Sequence, residues 1–224
     1  MLVDLNHRSG FVYGRAADAP PPLGARINTL LDDALVAERA GQRPRDYLGA
    51  SRIGEPCARR LVYEVTHTPP DPGKEIEGRS LRIFAAGHVF EDLAIRWLRL
   101  AGFDLRTQTR EGGQFGFETA GGRIRGHVDG VIVAGPEVGL AWPVLWEHKA
   151  LKASSWSDTA KKGVRLSKPV YFGQMQIYMA YMGLGSALFT ALNKDSCELY
   201  HEHVPFDPAT AQELSDKAVA VLRA

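Results

Sequence analysis

The spacing of apolar residues predicts three well-defined helices. Apolar side chains recur at helical spacing from Ala25 to Ala40 and again from Ser80 to Ala101. A third helix is predicted from Val170 to Met182. Gly102 and Gly183 follow the last two segments, and glycine is common just beyond the end of a helix.

Between and after these helices the pattern changes to the period of two that is typical of strands. The predicted strands are Phe103 to Thr109, Phe115 to Thr119, Ile124 to Val133 and Val144 to Leu151. A last hairpin turns at Asn193–Ser196, and Asp207-Pro208 is a favourable start for a terminal helix. Ser51 would cap a further helical turn in the segment Ala50 to Val65. This order of elements predicts an α/β fold with a mixed sheet.

Composition indicates an ordinary globular protein. The chain has 224 residues, of which 45% are hydrophobic and 24% are charged, and this excludes a disordered or collagen-like chain. Its two cysteines are too few for a secreted disulfide scaffold. The N-terminal residues lack a signal-peptide pattern and no 18-residue apolar span exists, so we expect a cytoplasmic protein without a membrane partner.

The net charge hides a local excess of positive residues. The formal charge is only +1, which taken alone argues against a nucleic-acid partner. From Lys149 to Lys168, however, six basic residues stand against one acidic residue, Asp158. A local positive field can hold DNA on a nearly neutral protein. The alternative is a solvated, lysine-rich loop, and charge alone favours neither interpretation.

Three residues on two predicted strands suggest a site for metal chemistry. Glu147 and Lys149 are two residues apart on a strand and therefore project to the same side, opposite to Trp146 and His148. If the strand of Asp129 pairs beside them, two carboxylates and an ammonium converge. Mg²⁺ commonly takes one or two carboxylates together with waters and substrate phosphates. The alternative is an exposed Glu–Lys pair and an unrelated Asp-Gly turn.

Two of the predicted helices carry polar pairs that would face this cluster. His88 and Glu91 share one face of the helix that begins near Ser80. Gln174 and Tyr178 share one face of the helix that begins near Val170. The alternative for His88 and Glu91 is a solvated helix face.

Taken in order, these motifs resemble a known family. The set G-H-x-x-E, G-H-x-D-G, E-x-K and Q-x-x-x-Y over residues 50–205 is similar to the PD-(D/E)xK nuclease superfamily. The closest likeness is to the RecB-like branch that contains the phage recombination exonucleases (lambda exonuclease-like, YqaJ-like). The resemblance implies a restriction-endonuclease-like core: a central mixed β-sheet flanked by helices.

The resemblance also implies roles for individual residues. Asp129, Glu147 and the backbone carbonyl of His148 would ligate Mg²⁺ or Mn²⁺, and Lys149 would be the catalytic lysine. Glu91 would be a further catalytic carboxylate and metal ligand, with His88 as another candidate ligand. The resemblance implies that DNA is contacted by Gln174, Tyr178, Ser51, Arg59 and Arg60. The local excess of positive charge adds three expected DNA contacts, Lys161, Lys162 and Arg165. Only Cys57 stands where relatives place cluster cysteines, so no iron–sulfur cluster is expected.

The function implied is that of a metal-dependent DNA exonuclease that processes double-stranded ends in phage-type recombination. Expected partners are DNA and a single-strand annealing protein, and some relatives close into a homo-oligomeric ring. We expect one domain overall, with an N-terminal arm and helix (residues 1–49), a nuclease core (50–206) and a C-terminal helix (207–224).

Two other functions remain open at this point. His127 and Asp129, with His201 or His203, would form the ligand set of a non-haem iron oxygenase. A DNA-binding module that keeps the nuclease fold without its activity is the second alternative.

Overall fold

The computed structural model describes residues 21–224, and the chain divides into two compact units. The smaller unit holds the described residues up to Gln42 together with Ile76–Leu81, and the larger holds Arg43–Glu75 and Arg82–Ala224. Most of the expected N-terminal arm lies outside the described residues. The division into arm, core and terminal helix stays a prediction.

Six α-helices form in the described part of the chain. They are α1 (Leu23–Ala40), α2 (Ala58–Val65), α3 (Gly78–Leu100), α4 (Ala153–Ser167), α5 (Pro169–Met182) and α6 (Pro208–Arg223). The three helices predicted from apolar spacing are confirmed to within two residues at each end. The start of α6 is also confirmed, because the Asp207 carboxylate accepts a hydrogen bond from the Thr210 amide at 3.1 Å. None of the helices in residues 21–224 is both long and apolar enough to cross a bilayer.

Eight strands form two sheets within residues 21–224. Their bounds are β1 (Leu48–Gly49), β2 (Leu105–Arg106), β3 (Gly116–Thr119), β4 (Ile124–His127), β5 (Gly130–Ile132), β6 (Val144–Leu151), β7 (Ser186–Asn193) and β8 (Leu199–Pro205). The strand orders are β1-β4-β3 and β2-β5-β6-β7-β8, and each sheet contains one parallel pair, β1 with β4 and β6 with β7. The predicted α/β class with mixed strands and flanking helices is confirmed.

The predicted continuous strand from Ile124 to Val133 is wrong, because the chain changes sheets in its middle. β4 belongs to the three-stranded sheet and β5 to the five-stranded sheet. The buried amide of Val128 donates to the Phe115 carbonyl at 3.0 Å. The next residue, Asp129, uses its carboxylate to accept from the His148 amide. The residues between the two strands thus bond to different neighbours, and Asp129 is left at the point where the sheets diverge.

The basic segment expected to be a loop is instead the helix α4. It is interrupted at Gly163, whose φ of 76° and ψ of 164° are not helical. The carboxylate of Glu202 on β8 accepts from the Val164 amide at 2.7 Å and so satisfies the first donor of the resumed helix. Apolar periodicity missed this helix because its surface is largely polar.

The main core surrounds α5. Every residue of α5 from Phe172 to Met179 is buried, as is typical of a helix that is covered on all sides. A smaller cluster lies between α3 and the five-stranded sheet, where Ala94 packs near Trp146 and Leu188. The apolar stripe predicted for α3 is only partly used for packing, since Phe84 is 56% exposed and Trp97 is 38% exposed.

A pair of glycine substitutions tests how α5 is seated. A Cβ on Gly54 would lie 2.7 Å from the carbonyl oxygen of Val170, a contact that only a backbone shift relieves. Gly54→Ala should therefore lower the free energy of unfolding by about 1–3 kcal/mol, the usual cost of overpacking. Gly87→Ala is the control, because that helical position has no neighbouring atom within 4 Å.

The control variant should instead gain roughly 0.5–1 kcal/mol from the better helix propensity of alanine. Urea denaturation of both variants supplies the measurement. Equal effects at the two positions would contradict the close approach of Gly54 to α5.

Candidate active site

The centre of the candidate site is the place where Asp129 meets β6. β5 runs antiparallel to β6, with Gly130 opposite Trp146. Asp129 immediately precedes β5, and its Oδ2 accepts a hydrogen bond from the His148 amide at 2.8 Å. The predicted pairing of these two segments is therefore confirmed, and the bond fixes the Asp129 carboxylate against the middle of β6.

The two faces of β6 separate as predicted. The rings of Trp146 and His148 stack on one side, with centroids 5.6 Å apart. On the other side Lys149 forms an ion pair with Glu147. The His148 ring lies away from the carboxylates, and burial lowers its pKa to about 4. Only the backbone of His148 thus faces the cluster.

The Lys149 ammonium lies against three oxygen groups. It is in contact with the Glu147 carboxylate, lies 3.6 Å from Asp129 Oδ2 and donates to the His148 carbonyl at 2.9 Å. Burial alone would lower the pKa of Lys149, but the charges of Asp129 and Glu147 outweigh it and hold that pKa above its ordinary value. The Lys149 ammonium thus lies among the three groups that the family resemblance assigns as metal ligands.

Glu147 is the most deeply buried charged group of the cluster. Its side chain is 0% exposed. One carboxylate oxygen accepts from the Gln174 amide nitrogen at 2.7 Å, whereas Oε2 has no hydrogen-bond partner among residues 21–224. Burial, reinforced by the charge of Asp129, raises the pKa of Glu147 to about 8. A buried carboxylate with a free oxygen is poorly stabilised by the protein alone.

Glu91 brings a third carboxyl group toward the cluster from α3. Burial, and after it the charge of Asp129, raises the pKa of Glu91 to about 7. His88, one turn earlier, has a side chain that is 81% exposed and lies 3.8 Å from Glu91 Oε2. Glu91 thus faces the cluster, whereas His88 is at the solvent surface.

Helix α5 presents a row of polar side chains to the same cluster. Gln174 bonds to Glu147, and the buried phenol of Tyr178 has its pKa raised, first by burial and then by the charge of Glu147. Tyr171 adds an unpredicted member, with the Lys149 ammonium 5.4 Å from the centre of its ring. Its position three residues before Gln174 and seven before Tyr178 was the signal available in the sequence.

The residues predicted to contact DNA outside this cluster occupy two surfaces. Ser51 lies in a short 3₁₀ turn, Ala50–Arg52, and Arg59 is exposed on α2. Arg60 is paired with Glu55 at 3.4 Å and with Glu64 at 3.7 Å. No direct contact of these residues with Asp129 or Glu147 is observed within residues 21–224.

On α4, Lys161 is exposed, whereas two other basic residues have acidic partners. Lys162 pairs with Asp158 at 2.7 Å. Arg165 pairs with Asp207 at 3.2 Å and lies over the ring of Phe172. Both basic side chains are largely solvent-exposed, so exchanging the acidic partner for a phosphate should cost little free energy.

The donor set fits a hard divalent cation that brings other ligands with it. Asp129 and Glu147 supply two carboxylates, which is the usual protein contribution to a Mg²⁺ site. The free Oε2 of Glu147 and the raised pKa values of Glu147 and Glu91 favour a bound cation, with which the Lys149 ammonium competes. In the part of the chain that the structure describes, no three His, Cys, Asp or Glu side chains form a complete metal cage.

The position of His201 argues against the iron alternative. A facial triad requires three protein ligands, here His127, Asp129 and a distant histidine. His201 lies instead opposite Thr190 of β7, on the side of the sheet that carries the His148 ring. This ligand set is not assembled among the described residues.

Solved structures show the same arrangement of elements. The crystal structure of an alkaline exonuclease (LHK-Exo) from Laribacter hongkongensis aligns with a TM-score of 0.54 and 17% identity, over 85% of this chain and 91% of that one. The structure of LHK-Exo in complex with dAMP aligns with a TM-score of 0.55 and 18% identity, over 80% of this chain and 87% of that one. The chain has the alkaline exonuclease fold. No protein-family model and no curated protein matches the sequence.

The shared fold confirms the restriction-endonuclease-like core that the motifs predicted. At such low identity the likeness concerns the fold alone. The roles of individual residues therefore rest on the geometry of this chain.

The raised pKa of Glu91 predicts a specific pH dependence of stability. Its ordinary pKa is 4.5 and its folded pKa is about 7, so the folded state binds the proton more tightly than the unfolded state. The stability that this group contributes is complete below pH 4.5 and is lost as the pH rises through 7. In EDTA, Glu91→Gln should gain stability relative to the parent as the pH rises over this range.

The measurement is the free energy of unfolding in urea for the parent and Glu91→Gln at pH 4, 6 and 8. A difference between the two proteins that stays constant with pH would rule out the proposed burial and repulsion at Glu91.

Proposed function

We propose that this protein is a metal-dependent deoxyribonuclease that hydrolyses phosphodiester bonds at the ends of duplex DNA. The observation that carries the proposal is the contact of one ammonium, Lys149, with Asp129, Glu147 and the His148 carbonyl. The fold supports the same assignment, because the neighbours of this chain include an exonuclease and its complex with dAMP.

Asp129, Glu147 and the His148 carbonyl would hold Mg²⁺ or Mn²⁺, with Glu91 as a further acidic group. When bound, such an ion acts as a Lewis acid on the phosphate and favours ionisation of a bound water. Gln174 donates to Glu147 and so fixes the orientation of that carboxylate. Tyr178 is buried one turn after Gln174 on α5 and would help to keep water out of the site.

Lys149 would neutralise the negative charge that develops on the phosphate during hydrolysis. A fixed cation in a site shielded from water is worth more in the transition state than in solution. Its side chain is 23% exposed, so it remains accessible to a phosphate from solvent. Its pKa above the ordinary value keeps it protonated throughout the neutral pH range.

DNA binding outside the cluster is assigned to two basic surfaces. Lys161, Lys162 and Arg165 on α4 would contact backbone phosphates, as would Arg59, Arg60 and Ser51. In this proposal the protein acts on duplex ends in the cytoplasm of a bacterial or phage-infected cell. It would supply single strands to an annealing protein, and a homo-oligomeric ring would favour repeated cleavage on one DNA molecule.

The direct test is digestion of duplexes labelled at the 5′ or the 3′ end, beside a closed circle, with Mg²⁺. We expect release of nucleotides from one labelled end, an intact circle and no release in EDTA. Binding of DNA without any release would instead indicate the inactive DNA-binding module. Full cleavage in EDTA would contradict the metal requirement.

Two substitutions separate the metal ligands from the lysine. Asp129→Asn removes a ligand charge, so metal affinity and cleavage should fall together. Lys149→Ala removes the ammonium that competes for the same oxygens, so metal affinity should rise while single-turnover cleavage falls on the order of 10²–10³-fold. Calorimetry of metal binding and single-turnover kinetics at saturating metal measure the two effects. Cleavage by Lys149→Ala at the parent rate would contradict the assignment.

The basic residues of α4 should contribute through phosphate contacts. Replacing Lys161, Lys162 and Arg165 with alanine should weaken DNA binding and reduce the slope of log affinity against log salt by roughly one per lost contact. Lys74→Ala and Arg110→Ala serve as control charge removals outside α4. A slope equal to that of the parent would make α4 an ordinary solvated surface.

A further inference from the structure

The side chain of Lys149 contacts oxygen atoms on one side and an aromatic ring on the other. On the strand side its ammonium meets the carboxylates of Glu147 and Asp129 and the carbonyl of His148. On the helix side it faces the ring of Tyr171, 5.4 Å from the ring centre. Lysine has a flexible four-carbon stem, so the location of its charge depends on these contacts.

Tyr171 is held firmly enough to act as a fixed surface. It lies in the first turn of α5 and packs partly against the main core. Its neighbour Val170 is in close contact with Gly54, and the next residue, Phe172, is buried. One turn later Gln174 bonds to Glu147. The ring is thus fixed relative to β6 by its own helix.

The ring face is the only contact of the ammonium, among those observed in the described residues, that does not use an oxygen of the proposed cation site. An aromatic face attracts an ammonium through its quadrupole, most strongly where water is excluded. The attraction draws the charge away from the carboxylates and toward α5. Without the ring, the ammonium would associate more completely with Asp129 and Glu147.

We infer that Tyr171 is a positioning residue for Lys149: the face of its ring holds the ammonium beside the carboxylates and limits its competition with a divalent cation. This inference rests on the proposed function. It requires the aromatic face and not the phenol hydroxyl. Phenylalanine should therefore replace Tyr171, whereas an aliphatic side chain should not.

The test compares Tyr171→Phe, Tyr171→Leu and a control, Tyr181→Leu, which removes a 38% exposed tyrosine from the same helix. We expect Tyr171→Leu to lower kcat roughly 3- to 30-fold, the range a cation–π contact supplies, with KM within about twofold of the parent. Calorimetry with Mn²⁺ alone should show weaker binding for Tyr171→Leu than for the parent. Tyr171→Phe and Tyr181→Leu should match the parent in both measurements.

The inference would be overturned if Tyr171→Leu had the same kcat and the same Mn²⁺ affinity as the parent. Equal defects in the Phe and Leu variants would also overturn it, because they would assign the effect to the hydroxyl. Thermal melting checks folding, and Tyr171→Met, with an unbranched side chain, replaces the Leu variant if that protein is unfolded. A parent that binds Mn²⁺ but never cleaves DNA would refute the proposed function, and the Mn²⁺ affinities alone would then decide the inference.

Discussion

The buried carboxylate of Glu147 needs a positive charge beside it, and much of the surrounding structure follows from that need. A fully buried carboxylate is costly unless it is paired and hydrogen-bonded. Lys149 supplies the charge and Gln174 supplies one hydrogen bond, yet none of the residues that the structure describes bonds to Oε2, and the pKa of Glu147 remains raised to about 8. The protein therefore tolerates an incompletely compensated acidic group in its core. Such a group is understandable where a stronger cation is to be bound.

The surroundings of Glu147 depend on the point at which the chain passes from one sheet to the other. β4 and β5 belong to different sheets, and the residues between them bring Asp129 to the middle of β6. Helix α5 is buried all round and closes the other side with Gln174 and Tyr178. Because both supports are core elements, the polar cluster has little freedom to relax. Rigid support of this kind is what a preorganised site requires.

The sequence predicted those features that depend on local periodicity. Helices α1, α3 and α5 and the opposite faces of Glu147 and His148 on β6 follow from residue spacing alone. The change of sheet at Asp129 could not be predicted in this way. The alternation of apolar residues continues through it, and a change of hydrogen-bond partner leaves no trace in the sequence pattern. Helix α4 was missed because Glu202, distant in the sequence, stabilises its second part. Tyr171 was missed because a partly buried tyrosine in an apolar helix resembles ordinary core.

The central claim is that the oxygens around the Lys149 ammonium form a site for a divalent cation. Anomalous diffraction from crystals of the protein soaked in Mn²⁺ tests it most directly. The account predicts a manganese peak coordinated by Asp129, Glu147 and the His148 carbonyl, with the Lys149 ammonium displaced from these oxygens toward Tyr171. A manganese-soaked crystal with no peak at this place, and with Lys149 still in contact with all three groups, would contradict it.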